Sequence, residues 1–179
     1  MKTIYVVRHA KAEGQPRESH LTMEGNKQAE QLVHFFQDKP IDRIISSPFL
    51  RTLQTIQPLA EMRKLPIIQD ERLAERVLSS RDYPDWKEQL SLSFENFEMV
   101  LEGGESNQSG YERACSILEE IIQGDDKNVI LVTHGNLMTL LLRYFNDKAG
   151  IDELFALSNP DVYEISINGE QKSMTRIWI

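Results

Sequence analysis

Thr3-Ile4-Tyr5-Val6-Val7-Arg8-His9 is the stretch on which the fold turns. Its β-branched and aromatic residues run without polar alternation, as in a central strand buried on both faces, and the run stops at two side chains that carry or accept charge. A second run of this kind, Asn128-Val129-Ile130-Leu131-Val132, leads into Thr133-His134. If the two strands are parallel neighbours, both histidines emerge at one end of the sheet and face one crevice.

Outward from these strands the chain alternates between strand and helix signals. Thr22 can cap a helix in which Ala29, Leu32, Val33 and Phe36 recur at helical spacing, and Pro40 punctuates its exit. Arg43 to Ser46 reads as a short second strand. Pro48 opens a helix at its first turn, with Leu53, Ile56, Leu59 and Ala60 as its apolar stripe. Pro66 to Gln69 reads as a third strand, Gln108 to Gln123 as a helix, and another helix begins just after His134-Gly135. Near the end, Asp161 to Ile167 and Met174 to Ile179 alternate around Asn168-Gly169. This predicts an antiparallel pair, with Ile177-Trp178-Ile179 on an exposed edge.

The expected fold is therefore α/β: a three-layer sandwich with a mostly parallel central sheet, helices on both faces and an antiparallel edge. Ligands of such sheets gather at the carboxyl ends of the strands. A chain of 179 residues, 40% hydrophobic and 27% charged, fits one domain over residues 1–179, and it holds no repeat or flexible linker. Between Asp70 and Glu105 the pattern weakens. Residues 76–105 or so, with Tyr83, Trp86, Phe94, Phe97 and Met99 among charges, read as a lid-like excursion whose aromatics belong more to the core than to a substrate.

Charge narrows the functions. A net charge of -8 gives no long-range attraction for nucleic acid or an anionic membrane, so neither is an expected partner, and an anionic substrate must find local positive charge. No window approaches the roughly 18 apolar residues of a membrane span, and the first segment is too short for a secretory signal. The expected location is cytoplasmic. The single Cys115 excludes an intramolecular disulfide and reads as part of a buried helix face. Oligomeric state leaves no mark in the sequence.

Local positive charge is available where the strands end. Arg8 adjoins His9, and His134 feeds a helix N-terminus at Gly135-Asn136, where free amides and the macrodipole favour phosphate. Arg51 follows Ser46-Ser47-Pro48 in the first turn of another helix, so two guanidinium forks converge on one anion. No nearby carboxylate or cysteine pair joins His9 and His134 at metal-ligand spacing, so neither metal nor cofactor is expected. His20, in a polar loop, and His34, on a helix surface, are assigned no role. Arg76, Arg81 and Lys87 read as a solvated charged surface rather than as contacts for a second anionic group.

Five segments in order resemble the signatures of the histidine phosphatase superfamily, also called the phosphoglycerate mutase-like family. They are Arg8-His9-Ala10, Leu21-Thr22 with Gly25, Ser47-Pro48 with Arg51, Gln54 and Thr55, Gly103-Gly104-Glu105-Ser106, and Val132-Thr133-His134-Gly135. The resemblance implies that His9 is a nucleophile that forms a phosphohistidine. Arg8, Arg51 and His134 would hold the phosphoryl oxygens, and Glu75 would be the proton donor, with Asp70, Glu71 and Glu88 as other acids in the region. Gln15 stands about where many members have a phosphate-touching Asn. Ala10 and Lys11-Ala12 depart from the common Gly and Glu-Thr.

Chemistry supports these roles independently. Neighbouring guanidinium groups would lower the His9 pKa from about 6.5 and keep a ring nitrogen free to attack. The alkoxide leaving group needs a proton, which a carboxyl can supply. The expected activity is hydrolysis of a small phosphomonoester. The alternatives are mutase-type transfer to another hydroxyl and, further off, a non-enzymatic phosphate-binding module.

Overall fold

The computed structural model describes residues 1–179. In chain order it runs β1 (Lys2–Arg8), α1 (Met23–Phe35), β2 (Arg43–Ser46), α2 (Leu50–Arg63), β3 (Ile67–Gln69), a 3-10 turn (Glu71–Leu73) and α3 (Trp86–Glu95). It continues through α4 (Asn107–Gln123), β4 (Asn128–Thr133), α5 (Gly135–Arg143), α6 (Ile151–Ala156), β5 (Asp161–Asn168) and β6 (Gln171–Arg176). The strands form one six-stranded sheet in the order β3-β2-β4-β1-β5-β6. The first four are mutually parallel, and β5 and β6 add the antiparallel edge. This is the α/β architecture expected from the sequence.

The unbroken apolar character of β1 and β4 now has its cause. Side chains alternate across a strand, and here both faces are covered. Ile4, Val6, Val129 and Leu131 pack with Ala114, Ile117 and Leu118 of α4 and with Leu137 and Leu141 of α5. Tyr5, Val7, Ile130 and Val132 face the other way, onto Leu32 and Val33 of α1 and Ile56 and Leu59 of α2. Each fully buried aliphatic side chain contributes roughly 1.5–3 kcal/mol, so the central strand pair is the firmest part of the molecule. Helix starts follow the local chemistry as well. Thr22 Oγ1 accepts the Gly25 amide at 2.9 Å, and Ser106 Oγ accepts the Ser109 amide at 3.0 Å.

Three expectations need correction. The last strand is Gln171–Arg176, not Met174 to Ile179. Beyond it the amides of Ile177 and Trp178 both reach the Val162 carbonyl, at 2.9 and 3.4 Å, and their side chains pack on the core under α1, where the Trp178 ring lies 5.2 Å from Phe35. Cys115 is only half-buried, because α4 turns Ala114 and Leu118 fully inward instead. Pro48 does not open α2 but precedes its N-cap residue, Phe49.

The excursion after Glu75 carries α3 and returns at Gly103-Gly104. Its two arms are tied by the Glu105 amide to the Val77 carbonyl at 2.8 Å and the Ser80 amide to the Glu102 carbonyl at 2.9 Å. A side chain at Gly104 would begin 2.1 Å from the Leu78 carbonyl oxygen, so only glycine lets the arms approach this closely. No helix is long and apolar enough to cross a membrane.

Candidate active site

Arg8 pairs with Thr133 in the β1–β4 register, so His9 and His134 follow as neighbours at the carboxyl edge of the sheet. Their rings lie 5.2 Å apart, edge to face. His9 Nε2 lies 3.3 Å from Nε of Arg51. An arginine can only donate, so Nε2 must present its lone pair. His9 Nδ1, 2.7 Å from the Ala10 carbonyl, then carries the proton and donates it there. Burial holds the His9 pKa down at about 3, with Arg51 and Arg8 adding to the effect against the opposing pull of the Ala10 carbonyl. The ring is neutral, with its lone pair turned toward the guanidinium groups.

Arg51 is fully buried. Its Nη1 donates to the carbonyls of Gln15 and Pro16 at 3.0 and 2.9 Å, which locks the fork in place and leaves Nη2 without a protein partner. Arg8 donates from Nη1 to the Leu157 carbonyl at 3.3 Å, and its Nε is buried without a partner. The Arg8 guanidinium lies against Gly135, where a β-carbon would come within 2.9 Å of Nη2. Glycine at the head of α5 thus makes room for the fork. His134 is buried, with Nε2 2.8 Å from Ser47 Oγ and Nδ1 unpartnered. Burial lowers its pKa well below the ordinary range, assisted by His9, Arg51 and Arg8. Several unsatisfied donors in one buried place mark a site built for an anion.

Glu75 reaches the same floor. Its carboxylate accepts the amides of Leu137 at 2.9 Å, Asn136 at 3.2 Å and Arg76 at 2.9 Å. The Asn136 and Leu137 amides at the head of α5, expected to be open to phosphate, are therefore engaged by this carboxyl, which does not take the Gly135 amide. Burial raises the Glu75 pKa and outweighs the three amides and Arg8, which pull it down. The other acids stand apart from the floor. Asp70 pairs with Arg72 at 2.7 Å, Glu71 pairs with Arg17 at 2.7 Å on the surface, and Glu88 lies exposed in the first turn of α3.

A cleft of about 770 Å³ opens above the floor. Arg8, Arg51, Glu75, Gly135 and Asn136 line it, whereas His9 and His134 are buried and are not among its lining residues; His9 meets that wall through its contact with Arg51. Gln15 stands at its wall, where its backbone carbonyl holds Arg51. The far wall was not legible beforehand. Tyr83 and Trp86 line it from the excursion and Leu154 and Phe155 from α6, whereas Phe94 and Phe97 pack on the core. Ser47 and Asn107 were also missed as supports, the latter donating from Nδ2 to the Ser93 carbonyl at 3.0 Å and accepting Asn136 Nδ2 at 3.0 Å.

Comparison with known proteins accords with this geometry. The model of the histidine phosphatase superfamily (branch 1) matches residues 4–179. Phosphoserine phosphatase 1 of Hydrogenobacter thermophilus is 30% identical over 156 residues, covering 75% of this chain and 71% of that protein. A variant of Entamoeba histolytica phosphoserine phosphatase in complex with phosphoserine shares the fold with a TM-score of 0.81 at 20% identity, over 98% of this chain and 95% of that one. Mycobacterial glucosyl-3-phosphoglycerate phosphatase does so with a TM-score of 0.80 at 19% identity, over 99% and 97%.

Proposed function

The chain belongs to the histidine phosphatase superfamily, and from that premise we propose that His9 takes the phosphoryl group of a small monoester and passes it to water. The protein is a phosphoric monoester hydrolase, and the geometry of the site supports the following roles for its residues. The observation that carries the reading is the tautomer of His9, whose Nε2 lone pair faces Arg51 while Nδ1–H donates to Ala10.

In the first step the Nε2 lone pair forms a bond to phosphorus as the P–O ester bond breaks. The departing alkoxide takes the proton of the Glu75 carboxyl. The ring then bears positive charge, which the Ala10 carbonyl steadies through Nδ1–H. In the second step water attacks phosphorus, gives a proton to the Glu75 carboxylate, and returns the N–P electron pair to Nε2. Arg8, Arg51 and the Nδ1 side of His134 receive the phosphoryl oxygens, so charge is stabilised by fixed donors.

The cleft is far wider than a phosphoryl group, which leaves water a route to the intermediate and favours hydrolysis over transfer to a second hydroxyl. O-phosphoserine is the first candidate substrate, because the Hydrogenobacter relative carries that name. The test is phosphate release across small esters with His9→Ala as the blank. Wild type should release phosphate and carry an acid-labile, alkali-stable phosphoenzyme, and the variant should lose about 10³-fold or more of the rate. Equal turnover by the variant would refute the assignment.

A further inference from the structure

Strand β1 ends at Arg8, so the peptide that joins His9 to Ala10 lies beyond its last residue. A peptide unit is planar, and holding its two polar ends therefore fixes its plane. Side chains from two remote parts of the chain do this. The Ala10 amide donates to Thr55 Oγ1 of α2 at 2.9 Å, and the His9 carbonyl accepts Asn159 Nδ2 at 3.0 Å. The chain then leads directly to the Ala10 carbonyl, which takes the Nδ1 proton of His9 at 2.7 Å. The acceptor that orients the imidazole is thus placed by a clamped peptide.

Both arms of the clamp are themselves anchored. The Thr55 hydroxyl donates to the Arg51 carbonyl at 2.7 Å, which leaves its lone pairs for the Ala10 amide. Asn159 sits in a corner before β5 that is fastened by Asp161, a fully buried carboxylate. Asp161 accepts the Ser158 amide at 3.0 Å, the Val162 amide at 2.9 Å, and Nε and Nη2 of Arg176 at 2.9 and 2.8 Å. A buried carboxylate satisfied at both oxygens holds its loop more firmly than a surface ion pair does. The same corner offers the Leu157 carbonyl to Arg8 Nη1 at 3.3 Å. One short segment, Leu157 to Asp161, therefore supports both the nucleophile and a guanidinium of the phosphoryl pocket.

We infer that Asn159 is a positioning residue for phosphoryl transfer, acting through the His9 carbonyl to aim Nε2 at phosphorus. The inference rests on the reading of His9 as nucleophile and extends it to the residue that sets the ring's approach. Asn159 does not line the cleft, and its amide is engaged by His9, so it acts on the ring and not on the ester. A displacement of about 1 Å at a reacting atom costs on the order of 100-fold in rate.

Rapid-quench measurement of phosphoenzyme formation from p-nitrophenyl phosphate, beside the dissociation constant of inorganic phosphate, tests this. In Asn159→Ala the formation rate should fall by about 30- to 100-fold, while phosphate, held by Arg8, Arg51 and His134, binds within about twofold of wild type. Thr55→Val removes the other arm at nearly constant volume and should show the same split, which keeps the test decisive if Asn159→Ala does not fold. A wild-type formation rate in either folded variant overturns the proposal. So does a variant in which phosphate binding weakens by the same factor as the rate, since that marks a general loosening of the pocket. If the wild-type protein neither forms a phosphoenzyme nor releases phosphate, the phosphatase reading itself falls. If wild type is phosphorylated on His9 and the variants match it, the positioning role alone is lost.

Discussion

Ser47 Oγ lies 2.8 Å from Nε2 of His134 and accepts the Phe49 amide at 3.2 Å, so one hydroxyl joins the second histidine to the entry of α2. With the amide on one lone pair, the hydroxyl proton is free for Nε2, and His134 then presents Nδ1–H. Ser47→Ala should leave a buried ring nitrogen unsatisfied. The expected cost is about 1–3 kcal/mol of stability and a loss of about tenfold in kcat/KM, since 1.4 kcal/mol is one decade in rate. Denaturant unfolding and steady-state kinetics check both, and unchanged kinetics would free His134 from this dependence.

Glu75→Gln removes the carboxyl proposed as the general acid but keeps its volume. Loss of a general acid costs about 10²–10⁴-fold where the leaving group needs a proton. An alkyl ester such as phosphoserine should show that full loss, and p-nitrophenyl phosphate, whose phenolate departs unaided, should show much less. Equal losses on the two esters would remove Glu75 from proton transfer.

The pH dependence of kcat/KM follows from the opposed shifts of the two groups. His9 must be unprotonated to attack, and burial sets its pKa at about 3, so an acid limb from this residue lies well below the 6.5 of an ordinary histidine. Glu75 must be protonated to serve as the acid, and burial moves its pKa upward, which carries the base limb above the ordinary carboxyl range. The profile should be a bell whose limbs belong to the coupled pair, and its base limb should vanish in Glu75→Gln. An acid limb at 6.5 that disappears only with His9 would contradict the buried neutral ring.

The same shift bears on stability. Unfolded His9 binds a proton near pH 6.5 but the folded ring resists it down to about 3, so protonation pulls toward the unfolded state. The contribution of the neutral ring is fully present above 6.5 and is lost at about 1.4 kcal/mol per pH unit below it, until the folded value is reached. Thermal unfolding between pH 7 and 4 should therefore fall more steeply in wild type than in His9→Ala. Parallel curves would show that the ring is not held neutral.

Gly104→Ala should loosen the excursion. The added β-carbon meets a backbone carbonyl, not a flexible tip, so the arms must part at a cost of about 1–3 kcal/mol. Hydrogen exchange at the Glu105 and Ser80 amides should rise before that of the sheet. Unchanged protection there would mean that the close approach is dispensable.

The sequence carried the central strands and their histidines because burial on both faces leaves no alternation to misread. Ile4 to Val7 and Val129 to Val132 had to be apolar at every position. The terminal strand was misplaced because β6 is exposed along most of its length, so its composition answers to solvent, while Ile177 and Trp178 answer to the core beneath them. At the site, Arg8, Arg51 and His134 stood out by their places at strand and helix ends. Arg76 did not, since its burial depends on Ser93 and Glu105, which come from remote turns of the chain. Phe155 lines the cleft from a six-residue helix too short to declare a periodic face.

The position of β4 in the sheet has a consequence for how this enzyme comes into being. It is wedged between β2 and β1, so those two early strands never touch, and the wedge, beginning at Asn128, follows β2, which ends at Ser46, only after a long stretch of further chain. Until then His9 and Arg51 of α2 belong to separate, half-built pieces, and closing so long a loop is slow. A chain ending before Asn128 should therefore be unable to bring His9 and Arg51 together, and the site takes shape only once β4 has supplied the strand between them.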